Sequence, residues 1–296
     1  MHAVLLFVTM VLGSGIAVRA HAAQPASPEL CRAKISCEPR LWTQETLTLR
    51  PKSGGEPYVI ELSIPSGPIP TDGFPVVYLL DAGTTFGTLA DIAHYQALFF
   101  TPVVVVGIRY PDPFEVGRRG DDLASPAADA FLDFLVGEVR GEVTKRTRID
   151  RSRQALFGHS LSGYFALRTA LSQPHAFDTY VIGDPSIQIG DWRIVKQLPE
   201  FSARNYPSVP RRLLFTKGTD SGAEEMRFAR KVGIPQPPPR TPGAFEISLR
   251  EFVEMLRPIK GIDVTYVEFP GETHQSMIPA HLGRGMRWTL LSWDPP

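Results

Sequence analysis

Ser160 stands in the string Gly158-His159-Ser160-Leu161-Ser162-Gly163, after an apolar run at residues 154–157 and before an amphipathic stretch at 162–171. A serine held on a tight strand-to-helix turn projects its hydroxyl above a sheet. Small residues two positions to either side keep strand and helix from colliding. Gly158 and Ser162 meet that requirement, with the usual second glycine displaced by one place to Gly163. The chemistry this spacing offers is attack by the serine oxygen on a carbonyl carbon.

A hydroxyl is a poor nucleophile until an imidazole takes its proton. Of the seven histidines, His2 and His21 fall in the first residues, His159 is expected to point away from its neighbour's hydroxyl, and His94, His175 and His281 occupy helical or helix-end positions. His274 is different. It follows an apolar strand at 264–269 through the short loop Pro270, Gly271, Glu272 and Thr273, which leaves it at the carboxyl edge of a sheet. The carboxylate that fixes the imidazole tautomer is expected between serine and histidine in the chain. Asp220 fits best, because it follows the strand at 212–216 through Lys217, Gly218 and Thr219; Glu224 and Glu225 are close alternatives, and Asp184, ending the strand at 179–182, is another. An oxyanion needs backbone donors, one from the residue after the serine, Leu161, and one from the loop at 81–84, where Ala82 is the expected amide.

The elements that must position these groups alternate along the chain. Residues 58–64 alternate apolar and polar side chains as an antiparallel strand does, whereas 75–80 and 102–108 are unbroken apolar runs suited to buried strands. Residues 127–143 and 162–171 have helical spacing, and further strands read at 154–157, 179–182, 212–216 and 264–269. This order predicts an α/β fold with a mostly parallel central sheet covered by helices on both faces. No internal repeat is visible, and residues 235–242, with five prolines, read as an extended loop.

Composition narrows the partners. Lys plus Arg and Asp plus Glu are equal at 31 each, so no overall field favours nucleic acid or an anionic membrane. The apolar run at 3–18, followed by Ala20, His21 and Ala22, matches a signal segment, 1–22, cleaved so that the mature chain begins near Ala23 in the periplasm or outside the cell. That run is short for a membrane span, so no stable insertion is expected after cleavage. A tail at 23–50 carries both cysteines, Cys31 and Cys37, whose expected state after export is a disulfide; the folded domain is expected over 51–296. The cysteine spacing fits no common zinc pattern, and no phosphate loop, dinucleotide fingerprint or His-Glu-x-x-His string occurs, so neither metal nor cofactor is implied.

From residue 75 onward the chain resembles the putative-esterase branch of the α/β-hydrolases, which includes esterase D-like enzymes and the trilactone siderophore (enterobactin-type) esterases. The carriers are PVVYLLD at 75–81, VVVGIRY at 104–110, RRGDDLASP at 118–126, FGHSLSGYFAL at 157–167, AFDTYVIGDPSI at 176–187 and GETHQSMIP at 271–279. The resemblance implies an α/β-hydrolase fold, a serine esterase acting on a small-molecule ester, Ser160 and His274 as catalytic groups, and Ala82 and Leu161 at the oxyanion hole. Some members look like Ser-His dyads, which leaves the carboxylate open. Where siderophore esterases tend to have serine-proline-serine followed by tryptophans, this chain has Asp184, Pro185, Ser186, Ile187, Gln188 and Ile189, with Trp192 nearby. Two other readings of the same residues are an acyltransferase and a non-catalytic binding protein on the same fold.

Overall fold

The computed structural model describes residues 42–112, 116–204, 206, 208–220, 222–231 and 245–295. The expected signal segment, Cys31, Cys37 and the proline-rich stretch at 235–242 lie outside them.

The unbroken apolar run becomes β3 (Phe74–Leu80), buried at every position. Its side chains alternate between two cores, Val76, Tyr78 and Leu80 on one face of the sheet and Val77 and Leu79 on the other. A strand buried on both sides needs helices on both sides. β4 (Val104–Arg109) and β6 (Thr179–Gly183) share this character, while β5 (Ile149–His159) is longer than its apolar stretch suggests. β7 (Arg211–Gly218) and β8 (Ile262–Phe269) complete the parallel part. β2 (Tyr58–Pro65) pairs antiparallel with β4, as its alternation predicts.

The sheet begins earlier than the boundary expected at residue 51. β1 (Trp42–Leu49) pairs antiparallel with β2 as an edge strand. The order is β1-β2-β4-β3-β5-β6-β7-β8, with every pair from β4 to β8 parallel. The chain leaves β3 for β4 on one side and later returns to place β5 on the other, so the carboxyl ends of β3 and β5 flank a switch point, where open α/β sheets present their ligands.

The amphipathic stretch at 127–143 is helical throughout, divided by a π turn at Leu135–Val139 between Ala128–Phe134 and Arg140–Arg146. One face of the sheet is covered by this segment together with α5 (Leu161–Ser172), the other by α1 (Phe86–Gln96) and α10 (Ile278–Trp293), taking as α2, α3 and α4 the helices Val116–Ala124, Ala128–Phe134 and Arg140–Arg146, and as α6 to α9 those at Ile189–Lys196, Leu198–Ser202, Ala223–Lys231 and Leu249–Leu256. Among the described residues no helix is long and apolar enough to cross a membrane.

Candidate active site

Ser160 sits between β5 and α5 with φ 58° and ψ −117°. A non-glycine residue there is strained, and such strain persists only where the surroundings enforce it. The enforcement is visible. A Cβ on Gly158 would lie 2.2 Å from the carbonyl oxygen of Ser162, and one on Gly163 would lie 2.8 Å from that of Gly183. Helix and strand therefore approach as closely as glycine permits. Ser162 does not obstruct the turn: its hydroxyl accepts from the His159 amide at 3.1 Å and donates to the His159 carbonyl at 2.9 Å. The displaced glycine of the sequence pattern thus has a physical account, with Gly163 taking the close contact to β6 and Ser162 clamping the turn.

Five non-glycine residues among those described have positive φ, and three are Asp81, Ser160 and Asp184, which follow β3, β5 and β6 respectively. Asp81 introduces a 3₁₀ turn at Ala82–Thr84 and is gripped by the Arg119 guanidinium through two hydrogen bonds, at 2.8 and 2.7 Å. Ala82 is fully buried behind this turn, and Leu161 opens α5, where the helix dipole favours negative charge.

His274 follows β8 on a loop braced from several sides. The Thr273 amide donates to Ser276 Oγ at 2.8 Å, and the Asp220 amide donates to the Glu272 carbonyl at 2.9 Å. At the end of β7, Gly218 lies so close to the loop that a Cβ would come within 2.4 Å of the Thr273 carbonyl. The loop therefore crosses the end of β7 and carries His274 toward β6. There His274 Nδ1 meets Asp184 Oδ2 at 2.8 Å, while Lys217 Nζ donates to Asp184 Oδ1 at 2.8 Å. Because an ionised carboxylate only accepts, Nδ1 carries the proton and Nε2 is the free, basic nitrogen.

The hydrogen-bonded carboxylate is thus Asp184, where the sequence favoured Asp220. Asp220 Oδ1 instead accepts from the Gly222 amide at 3.2 Å, and the backbone of Asp220 props the histidine loop. The side chains of Glu224 and Glu225 lie outside the described residues. Burial pushes the Asp184 pKa upward, but the hydrogen bonds from His274 and Lys217 outweigh it, and the carboxyl sits below its ordinary value.

Backbone bonds tie serine and acid together. The Ser160 amide donates to the Gly183 carbonyl at 2.8 Å, the Ser186 amide donates to the Ser160 carbonyl at 3.1 Å, and the two hydroxyls, Ser160 Oγ and Ser186 Oγ, are 3.4 Å apart. Sequence reasoning gave Ser186 no role here. The ring of His159 packs on that of His274, with centroids 4.5 Å apart. Burial, and after it the His274 charge, lowers the His159 pKa to about 4, so this neighbour is neutral at physiological pH. His281 is buried in the core with Nδ1 2.7 Å from Thr216 Oγ1, and His94 bonds Ser63 at 2.9 Å.

A strained serine on a strand-to-helix turn at a switch point, on the sheet edge that also carries a carboxylate-held imidazole, defines an α/β-hydrolase. The "Putative esterase" family model matches residues 52–183. The ferri-bacillibactin esterase BesA of Bacillus subtilis (strain 168) is 31% identical over 261 residues, covering 79% of this chain and 84% of its own. The siderophore triacetylfusarinine C esterase of Aspergillus fumigatus is 26% identical over 281 residues, covering 81% of this chain and 90% of its own. Among solved structures, the siderophore hydrolase EstB from Aspergillus nidulans superposes with a TM-score of 0.70 at 25% identity, covering 86% of this chain and 97% of that one. The chain belongs to the putative-esterase family of the α/β-hydrolases and is an ester-hydrolysing enzyme.

Proposed function

We propose that this enzyme is a serine esterase that hydrolyses an ester-linked siderophore through an acyl-enzyme on Ser160. The observation that carries the reading is the bond from His274 Nδ1 to Asp184 Oδ2 at the sheet edge where strained Ser160 stands. Ser160 Oγ attacks the ester carbonyl as His274 Nε2 takes its proton, and the Leu161 and Ala82 amides receive the oxyanion. Collapse breaks the acyl C–O bond, and the imidazolium gives its proton to the departing alkoxide. Water, deprotonated by the same nitrogen, then attacks the acyl carbon, releases the acid and restores the Ser160 hydroxyl. Asp184 holds the tautomer and stabilises the imidazolium, while Lys217 keeps Asp184 ionised. Arg119 acts through Asp81, fixing the turn that presents the Ala82 amide.

The substrate class is supported by the relatives, two of which are named for cleaving siderophore esters. Trp192, eight residues beyond Asp184, meets Phe245 edge to face with centroids 5.7 Å apart, and we propose that this pair receives the aryl groups of the ligand. We place the enzyme in the periplasm or outside the cell, on the signal-like residues 1–22. N-terminal sequencing of the native protein tests that placement, with a start near Ala23 expected and an intact Met1 contradicting it.

The functional reading is tested by incubating the enzyme and Ser160→Ala with a ferric trilactone siderophore and with p-nitrophenyl acetate, separating products by chromatography. Linearised siderophore released by the enzyme alone is expected. Turnover of p-nitrophenyl acetate without siderophore cleavage would refute the substrate class, and equal turnover by the variant would refute the mechanism.

A further inference from the structure

The opposite end of the sheet carries a second concavity. A cleft of about 450 Å³ opens where β5, β6 and β7 begin, walled by Arg151, Phe177, Asp178, Val209, Arg211 and Trp293 among others. Asp178 immediately precedes β6 and Asp184 immediately follows it, so at ~3.3 Å per residue the cleft lies roughly 20 Å from the catalytic edge.

Its charge is not balanced from within. Asp178 is the carboxylate in the wall, and neutral donors already occupy it. Oδ1 accepts from the Gln154 amide, and Oδ2 accepts from Thr179 Oγ1 at 2.6 Å and Trp293 Nε1 at 2.9 Å. Arg212 is partly engaged, lying over the Trp288 ring at 4.6 Å and 4.0 Å from Asp263. Arg151 and Arg211, by contrast, make no ion pair among the described residues, and Arg211 Nε is a buried donor without a partner. Guanidinium groups match the planar, multidentate geometry of oxyanions.

The rest of the wall is apolar. Val209 is 69% exposed at the rim, Pro210 follows it, and Phe177 is buried beneath. A bare inorganic ion would leave this surface wet. We propose that the cleft is a binding site for a small amphiphilic oxyanion, a carboxylate or phosphate on an aryl or alkyl body, with Arg151 and Arg211 on its charge and Val209 and Pro210 on its apolar part. The site is separate from the catalytic edge and independent of the identity of the ester.

Isothermal titration of the whole enzyme with phenyl phosphate, inorganic phosphate and phenol tests this. Saturable binding of phenyl phosphate is expected, weaker binding of inorganic phosphate, and none of phenol. Arg151→Gln, an exposed position, should weaken phenyl phosphate several-fold, and Arg151→Gln with Arg211→Gln at least tenfold. Hydrolysis of p-nitrophenyl acetate should be unchanged in both variants and uninhibited by saturating phenyl phosphate. No saturable binding at millimolar concentration, or equal affinity in enzyme and variants, would overturn the site. Equal affinity for phosphate and phenyl phosphate would overturn its amphiphilic character.

Discussion

The carboxylate of Asp184 and the imidazole of His274 come from the ends of β6 and β8, and they meet at 2.8 Å because the histidine loop passes over the end of β7 between them. Lys217, at that end of β7, holds the other carboxylate oxygen at 2.8 Å. Three neighbouring strands thus orient one imidazole.

Asp184→Asn removes the acceptor that selects the Nδ1–H tautomer. Its kcat for ester hydrolysis should fall by ~10²–10⁴-fold with a much smaller change in KM. Asp220→Asn keeps the amide that braces Glu272 and should leave kcat within a factor of about three. Steady-state kinetics of the two variants compare the assignments, and the reverse ranking would restore Asp220.

The same pair has a pH signature in stability. The native Asp184 pKa lies below its unfolded value, so the pair's contribution is present above the ordinary carboxylate pKa and is lost as pH falls through the lower native value. Lys217→Met removes one of the groups that lower it. The variant should be less stable at neutral pH and its acid limb shallower, because less of this contribution is left to lose, as followed by thermal melts from pH 6 to 3. Superimposable acid limbs would contradict the assignment.

Two neutral imidazoles add a second limb. Burial lowers the pKa of His281 to about 3 and that of His159 to about 4, both below the unfolded histidine value. Native stability from these groups is present above the unfolded value near ~6.5 and declines as pH drops toward the native values, by up to ~1.4 kcal/mol per pH unit for each. Melting midpoints should fall between pH 7 and 5, and less steeply in His281→Asn. A flat profile over this range would contradict the burial account.

Gly158→Ala places a methyl 2.2 Å from the Ser162 carbonyl oxygen. Backbone cannot yield there as a flexible side chain would. The variant should lose ~1–3 kcal/mol or more of stability and most of its activity. Chemical denaturation with an activity assay checks both; unchanged values would mean that the turn is not as tight as described.

Much of this architecture was legible. Unbroken apolar runs at 75–80 and 102–108 marked strands buried on two faces, and the spacing around Ser160 together with the loop before His274 singled out both residues for catalytic roles. β1 was not legible: in Trp42–Leu49 the apolar positions Trp42, Leu47 and Leu49 are separated by Thr, Gln and Glu, the composition of an edge strand solvated on one side. The carboxylate that bonds His274 differs from the one the sequence favoured, for a geometric reason. Asp184 and Asp220 both follow parallel strands at the same edge, and only the path of the histidine loop over Gly218 decides which one the imidazole reaches. The left-handed backbone at Asp81 and Asp184 was equally hidden, since neither position carries the glycine that would announce it.

Whether Ser160 is the nucleophile that His274 activates is read from the site of covalent modification by a fluorophosphonate, located by intact mass and peptide mapping. A single adduct on Ser160 is expected, absent in Ser160→Ala and at least ~10²-fold slower in His274→Ala, both variants retaining the native melting transition. An adduct on another residue, or an enzyme that hydrolyses esters while Ser160 stays unmodified, would contradict it.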